Sequence, residues 1–225
     1  MKLYIHPVST TSRPIRLLIA EKKLPIEEQV VDILSGEHTK PPFSDLNPNM
    51  LVPVLEEDSF VLTESQAILQ YLADKFELHD LYPTDLKKRA RVNERLDWFN
   101  TNFFREYGYH VAYPQLFPHH KRQTDEAQQK TLEWGSERAQ AALKILDQHI
   151  IGPDHDYTCG DTMTIADLSG VCMVTVGEAL RVDFEKLPNV RRWIAAMKKL
   201  GSWDSINETL YGFAESVKDQ EFVTP

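Results

Sequence analysis

The stretch Thr63-Glu64-Ser65-Gln66 has the residue types and spacing to bind a small charged ligand. Thr63 and Gln66 have capping-box spacing, and apolar residues then recur three and four positions apart, which predicts a helix from Glu64. The first N–H groups of a helix lack internal partners and lie at the positive end of its dipole, so they can bind an anion, helped by the Ser65 hydroxyl. Glu64 offers an acceptor for a cation. A free amino acid end carries both charges.

The dipeptide Val52-Pro53, just upstream, is suited to binding extended peptide. The residue before a proline favours extended backbone, and a proline cannot donate to a sheet, so we expect the chain to enter an edge strand here. An X-Pro bond at such a point can be cis. The N–H and C=O of Val52 are then predicted to be free and able to pair with a peptide laid alongside.

Four hydroxyl side chains precede Arg13, in Ser9-Thr10-Thr11-Ser12, between the first predicted strand and the first predicted helix. Serine and threonine are common N-cap residues, and we expect one of the four to cap the helix. The same helix N-terminus could stabilise an anion beside these hydroxyls. Residue type and spacing alone leave open which hydroxyl would act.

Further motifs occur in order along the chain. They are Gly36-Glu37-His38-Thr39, Leu46-Asn47-Pro48, Val52-Pro53-Val54-Leu55, Thr63-Glu64-Ser65 with Ala67-Ile68, and Tyr82-Pro83-Thr84-Asp85 with Arg89-Ala90-Arg91-Val92. Each is weak alone, but as a set they are specific and resemble the cytosolic glutathione S-transferase family, theta-like. The resemblance covers the whole chain. It implies a cytoplasmic, usually dimeric enzyme that adds the thiolate of glutathione to an electrophile.

The resemblance also implies roles for particular residues. Ser9, followed by three residues and an arginine, corresponds to the catalytic serine, and we prefer it to Thr10, Thr11 and Ser12. Thr11 and Ser12 depart from the Pro-Cys of many theta-like members, so a neighbouring hydroxyl stays an alternative. The implied glutathione contacts are Val52 and Pro53 for the cysteinyl backbone, Glu64 and Ser65 for the γ-glutamyl end, and His38, assisted by Lys40, for the glycine carboxylate.

His38 and Leu51 each affect the set of contacts that we expect. The alternative for His38 is an ordinary exposed loop histidine. Leu51 stands where many theta-like members have a lysine, so one contact to the peptide is expected to be missing.

The elements that must position these residues follow from periodicity and turn residues. We predict a strand at Lys2 to His6, a helix from Ser12 to about Pro25, a strand at Glu27 to Ile33, a short helix around Phe43 to Leu46, a hairpin of Val54-Leu55 and Phe60 to Leu62, and then the capped helix. The order βαβαββα is typical of a thioredoxin-like α/β fold. A linker over Glu77 to Pro83 separates predicted domains at residues 1–78 and 85–225.

The second predicted domain is an all-α helical bundle. Its helices are a long one that passes Leu96 and ends near Gly108, then Ala127 to Ile151, a helix opened by Thr164-Ile165-Ala166-Asp167, Leu187 to Leu200 and Ser202 to Phe213. We interpret the Thr164 to Asp167 capping box as structural.

Aromatic residues of this domain suggest an apolar pocket for the electrophile. Tyr107, Tyr109, Tyr113 and Phe117, with Asn102 and Arg105, could line it, although packing between the domains explains them equally well. Adjacent His119 and His120 point apart and lack further ligands, so we predict a surface loop and no metal site.

Composition narrows the class of partner. The 225 residues carry a formal charge of −9, which disfavours binding to nucleic acid or anionic membranes, and no run of residues is apolar enough for a membrane span. Cys159 and Cys172 are too few for a disulfide framework, which suits a reducing cytosol. We expect no cofactor apart from glutathione as cosubstrate.

The sequence therefore predicts a glutathione transferase for small, largely apolar electrophiles. Two alternatives stay open: a glutathione-dependent disulfide reductase, and a non-enzymatic module that keeps the fold for binding.

Overall fold

The computed structural model describes residues 1–225. The first part of the chain contains β1 (Lys2–Ile5), α1 (Arg13–Lys22), β2 (Glu27–Val30), α2 (Phe43–Leu46), β3 (Val54–Glu57), β4 (Phe60–Leu62) and α3 (Ser65–Lys75). This is the predicted βαβαββα order, so the thioredoxin-like interpretation is confirmed.

The four strands form a mixed sheet in the order β2-β1-β3-β4. Strands β1 and β2 are parallel, whereas β3 is antiparallel to both β1 and β4. Because side chains alternate between the faces of a strand, Leu3, Ile5 and Leu55 fall on one face and join the main core with α1 and α3. Val54 belongs to a smaller cluster with Phe43 of α2.

Strand β2 is shorter than predicted. It ends at Val30, and all four of its residues are exposed, whereas Val31 is buried just beyond it. The Asp32 carboxylate accepts the backbone N–H groups of Leu34 and Ser35, which turns the chain and ends the strand before Ile33. Likewise β1 ends at Ile5, one residue earlier than predicted, and the buried His6 belongs to the following turn.

The second part of the chain is helical, as predicted. Its helices are α4 (Leu86–Asp97), α5 (Tyr113–Leu116), α6 (Asp125–Ile145), α7 (Ile165–Val174), α8 (Pro188–Met197) and α9 (Trp203–Ser216). Two π-helical segments, Trp98–Phe103 and Arg105–Ala112, connect α4 to α5, and a third, Leu146–Ile151, continues α6. None of these helices is sufficiently long and apolar to cross a bilayer.

The predicted helix end near Gly108 is wrong. The chain stays helical to Leu116, and Gly108 lies so close to Phe104 that an added Cβ would come within 2.6 Å of its ring. The glycine allows close packing here and does not stop the helix.

The capping box at the start of α7 is confirmed. The fully buried Asp167 carboxylate accepts hydrogen bonds from the backbone N–H and hydroxyl of both Thr158 and Thr164, and from the indole of Trp193. Every donor belongs to the helical domain and none lines the cleft described below, so these bonds join a loop and α8 to the start of α7.

Arg13 joins the two parts of the molecule. Its side chain is fully buried, and its guanidinium donates to the carbonyl of Cys172 on α7 and to Asn207 Oδ1 on α9, each at 2.6 Å. Short charge-assisted bonds of this kind compensate for burying a cation. The turn that carries the predicted catalytic hydroxyls is therefore fixed against the helical bundle.

Candidate glutathione and electrophile site

A cleft of about 390 Å³ lies between the sheet domain and the helical domain. It is lined by all six residues that the sequence predicted for the site: Ser9, His38, Val52, Pro53, Glu64 and Ser65. These residues come from the turn after β1, the loop after β2, the entry to β3 and the start of α3. The fold thus brings four separate segments to one place.

Ser9 lies in a tight turn at the base of the cleft. Its N–H donates to the His6 carbonyl at 2.9 Å, and the backbone N–H of Ser12 donates to Ser9 Oγ at 3.3 Å. Thr10 and Thr11 also line the cleft. Ser12 is completely buried outside it and its hydroxyl has no partner, so Ser12 is excluded as the reacting hydroxyl.

Val52 precedes a cis peptide bond to Pro53. Its N–H has no hydrogen-bond partner in the protein, as predicted. The prediction that its carbonyl is free as well is wrong, because Thr11 Oγ1 donates to it at 3.2 Å. A carbonyl oxygen has two lone pairs, so this one can still accept a second donor from an extended peptide.

The start of α3 differs from the sequence prediction. The helix begins at Ser65, and the residue before it, Glu64, has a φ of 66°, which is rare outside glycine. No side chain caps the helix; Gln66 instead donates to the Leu96 carbonyl of the helical domain, so the capping box of Thr63 and Gln66 is wrong. The backbone N–H groups of Ser65, Gln66 and Ala67 have no acceptor in the protein and leave an uncapped anion site.

The two side chains at this helix start differ in exposure. Ser65 is only 8% exposed, whereas Glu64 is exposed. Backbone strain of the kind found at Glu64 persists where the surroundings hold it, and it is concentrated at binding sites.

His38 lies in a single helical turn, Glu37–Thr39, on the far side of the cleft. The side chain is half-buried, and its Nδ1 is buried without a hydrogen-bond partner. A buried imidazole nitrogen without a partner favours a ligand contact over an ordinary loop histidine. Lys40 is exposed and does not line the cleft, whereas Leu51 lines it at the position where the sequence predicted a missing lysine contact.

The helical domain supplies an aromatic wall, defined as Tyr109, Tyr113, Phe117, His119 and His120. Neighbouring rings lie 4.5 to 5.9 Å apart, including Tyr109 to Tyr113 at 5.1 Å and Tyr113 to His120 at 5.0 Å. Burial raises the pKa of Tyr113 far above neutrality and lowers the pKa of His120. Both side chains are therefore neutral near pH 7.

Three of the residues predicted for this wall lie elsewhere in the structure. Tyr107 is fully buried and donates to the Val174 carbonyl, Arg105 is paired with Glu106, and Asn102 lies on a different, open surface. For these three residues the pocket prediction is wrong. His119 and His120 lie in a short surface turn, Pro118–His120, as predicted, and this turn also lines the cleft. No local pattern in the sequence marked these two histidines as part of the cleft lining, because α5 ends at Leu116 and Phe117 is extended.

Sequence reasoning did not identify Asn47 as part of the site. Asn47 is buried, donates to the Leu51 carbonyl at 2.8 Å and accepts the Asn49 N–H, so it holds the loop that presents Val52. No three His, Cys, Asp or Glu side chains come together in an arrangement that could hold a metal ion.

Two family models match the chain. The N-terminal domain of glutathione S-transferases matches residues 3–80, and the C-terminal domain matches residues 109–200. The chain belongs to the glutathione S-transferase family. It therefore has the transferase activity of that family, and the two-domain fold found above is the family's fold.

Solved structures agree with this assignment. A delta-class glutathione transferase from Nilaparvata lugens is 32% identical, with a TM-score of 0.80 over 96% of this chain and 98% of its own. Human glutathione transferase theta-2, solved with glutathione, is 26% identical, with a TM-score of 0.84 over 100% of this chain and 93% of its own. Glutathione transferase F2 from Populus trichocarpa is 26% identical, with a TM-score of 0.80 over 94% and 99%. The theta-like resemblance is confirmed.

Proposed function

We propose that this transferase binds glutathione in an extended form across the sheet side of the cleft. The N–H groups at the start of α3 and the Ser65 hydroxyl hold the γ-glutamyl carboxylate, and Glu64 holds its ammonium. Val52 pairs through its N–H and C=O with the cysteinyl backbone, beside Pro53. His38 binds the glycine carboxylate through the nitrogen that has no partner in the protein.

The observation that carries this proposal is the match between the open groups of the cleft and the polar groups of glutathione. Val52 with its unpaired N–H, the uncapped start of α3 and His38 with its unpartnered Nδ1 all line one cavity. Each is costly to bury without a partner and each has a counterpart in the ligand. On this proposal residues 1–78 hold glutathione and residues 85–225 form the electrophile pocket.

Ser9 is the proposed catalytic residue. A free thiol has a pKa near 8.5, and only the thiolate attacks, so the site must lower that pKa. The Ser9 hydroxyl donates to the sulfur anion, while the Ser12 N–H polarises Ser9 Oγ. The thiol proton leaves to solvent, the sulfur then forms a bond to the electrophilic atom, and the leaving group departs with its bonding electrons.

The aromatic wall sets the class of electrophile. Its three carbocyclic rings offer apolar area, and its phenols and the neutral imidazole of His120 offer hydrogen bonds without a net charge. This favours small, largely apolar substrates. Neither Cys159 nor Cys172 lines the cleft, so a disulfide reductase activity would have to use glutathione alone.

The proposal includes the assembly and the compartment. We expect a homodimer, because the apolar Phe60 and Val61 are 45% and 38% exposed on the edge strand β4 and would be covered by a second copy. We expect the cytoplasm, where both cysteines stay reduced. Neither nucleic acid nor a membrane is an expected partner.

Calorimetric titration with glutathione tests the proposal. Wild type should bind, Ser65→Ala should bind about tenfold more weakly or worse, and Ser59→Ala, an exposed serine outside the cleft, should match wild type. Turnover of an activated aryl halide should exceed turnover of a small dialkyl disulfide. No heat of binding to wild type would refute the glutathione site, and faster disulfide turnover would favour the reductase alternative.

A further inference from the structure

A short chain of hydrogen bonds connects Ser9 to the peptide-binding edge of the cleft. Ser9 Oγ lies 3.2 Å from Thr11 Oγ1, and Thr11 Oγ1 lies 3.2 Å from the Val52 carbonyl oxygen. All three residues line the cleft. The side chain of Thr10 makes no hydrogen bond to either Ser9 or Val52, so the connection runs through Thr11 alone.

The direction of these bonds follows from the chemistry of the groups. A carbonyl oxygen only accepts, and each hydroxyl has a single proton, so the Thr11 proton points to Val52. The contact between Ser9 and Thr11 must then use the Ser9 proton. Ser9 Oγ also accepts the Ser12 N–H. Without a ligand, therefore, the Ser9 hydroxyl donates its proton to Thr11 Oγ1, and that proton is not available to a thiolate.

The Val52 carbonyl is the atom to which the proposed function assigns the cysteinyl N–H. A second donor at that oxygen weakens its bond from Thr11. A hydroxyl proton moves by rotation about one bond, so Thr11 can turn it to Ser9 Oγ without moving any heavy atom. The bonds then run from Thr11 to Ser9 and from Ser9 to the sulfur, and each donor in such a chain strengthens the next.

We propose that Thr11 is a positioning residue that couples binding of the glutathione backbone at Val52 to release of the Ser9 proton toward the thiolate. This rests on the proposed function. No covalent bond in the protein is made or broken: the Thr11 hydroxyl changes its acceptor from the Val52 carbonyl to Ser9 Oγ, the Ser9 hydroxyl changes its acceptor from Thr11 Oγ1 to the sulfur, and both donors have a partner before and after. Peptide recognition and thiol activation are thereby linked through one hydroxyl.

Thr11→Val tests the coupling, since it keeps the shape of the side chain and removes the hydroxyl. The pKa of the thiol of bound glutathione, measured by ultraviolet titration, should rise by about half to one unit. This corresponds to the loss of one neutral hydrogen bond. At neutral pH kcat should fall roughly three- to tenfold with KM nearly unchanged, and activity should recover at alkaline pH. Thr11→Ser should restore the titration, and Thr10→Val should leave it where wild type has it.

A ligand analogue separates coupling from simple packing. In the analogue, an ester oxygen replaces the amide N–H between the γ-glutamyl and cysteinyl residues, so it cannot donate to Val52. With wild type the analogue's thiol should titrate about half to one unit higher than that of glutathione, compared after correction for the two free thiols. In Thr11→Val, the thiol of the analogue should titrate at nearly the same pH as that of glutathione, because the effects of two changes on one pathway are not additive.

The possible outcomes separate the two proposals. Wild type that binds no glutathione refutes the proposed function and the coupling together. Wild type that binds, with an unshifted titration in Thr11→Val or with additive effects of the variant and the ester, refutes the coupling alone. Failure of Thr11→Ser to rescue would also count against it, because the hydroxyl would then not be the group that matters.

Discussion

Ser9→Ala is the most direct perturbation of the proposed chemistry. A hydrogen bond to a charged group contributes about 1.5–3 kcal/mol, and one pKa unit corresponds to about 1.4 kcal/mol, so Ser9 should lower the thiol pKa by roughly one to two units. The Ser12 N–H cannot replace the lost hydroxyl, because it also donates to the Ser9 carbonyl at 3.1 Å and keeps that bond in the variant. We therefore expect a shift near the middle of this range, about 1.5 units.

The expected change in rate follows from the fraction of thiolate. If the bound thiol has a pKa near 7, about half is ionised at neutral pH, and a return to about 8.5 leaves only a few per cent. Conjugation at pH 7 should then slow by roughly tenfold to twentyfold, and the loss should disappear at alkaline pH. Glutathione affinity should change much less, because Ser9 makes none of the backbone or terminal contacts.

The assay is the thiolate absorbance of bound glutathione followed against pH, alongside initial rates with an activated aryl halide. Ser9→Ala should give the largest shift among Ser9, Thr10 and Thr11 variants. If its titration coincides with wild type while Thr10→Ala moves, the catalytic hydroxyl belongs to Thr10 and the assignment from the turn is refuted.

Three other predictions address binding and stability. Glu64→Ala should weaken glutathione binding by about tenfold or more with an unchanged melting temperature; unchanged affinity by calorimetry would remove Glu64 from the site. Asp167→Ala should lower the melting temperature with little change in glutathione affinity, because it leaves buried donors unpaired; the reverse result would contradict its structural role. Burial lowers the pKa of His6 below its usual 6.5, so the unfolded chain binds the extra proton first and the free energy of unfolding should fall as the pH drops below about 6.5. His6→Asn, which keeps an acceptor for the Val8 N–H, should flatten that dependence in denaturant titrations, and an equal slope would exclude His6 as its source.

The order of elements in the first domain could be predicted because local patterns and tertiary packing agree there. Leu3 and Ile5 alternate with partly exposed residues, and the same two residues reach the core. The capping box of Asp167 was predictable for the same reason, since its capping partner Thr164 lies three positions before it along the chain. The end of strand β2 was not predictable, because the Asp32 turn overrides the apolar pair Val30 and Val31.

The residues of the candidate site could be predicted from the sequence, but their arrangement could not. The residue type of Glu64 does not predict its positive φ. This backbone conformation prevents Thr63 from capping α3. Gln66, which a capping box would turn back to the backbone, is instead satisfied by the Leu96 carbonyl of the other domain. The location of His119 and His120 depends on how the turn Pro118–His120 packs against the rings of Tyr109 and Tyr113, which adjacent histidines do not signal.

Arg13 shows why the two domains must be considered together at this site. Its backbone N–H donates to the Ser9 carbonyl, while its guanidinium is buried among the Cys172 carbonyl and Asn207 of the bundle. A buried cation that donates from two of its nitrogens to two helices strongly resists displacement, since breaking either bond leaves its charge less compensated. The turn that holds Ser9 is thereby fixed relative to the bundle that carries the aromatic wall. On the proposed function, the distance between thiolate and electrophile is therefore set at the domain interface, and not by the thioredoxin-like domain alone.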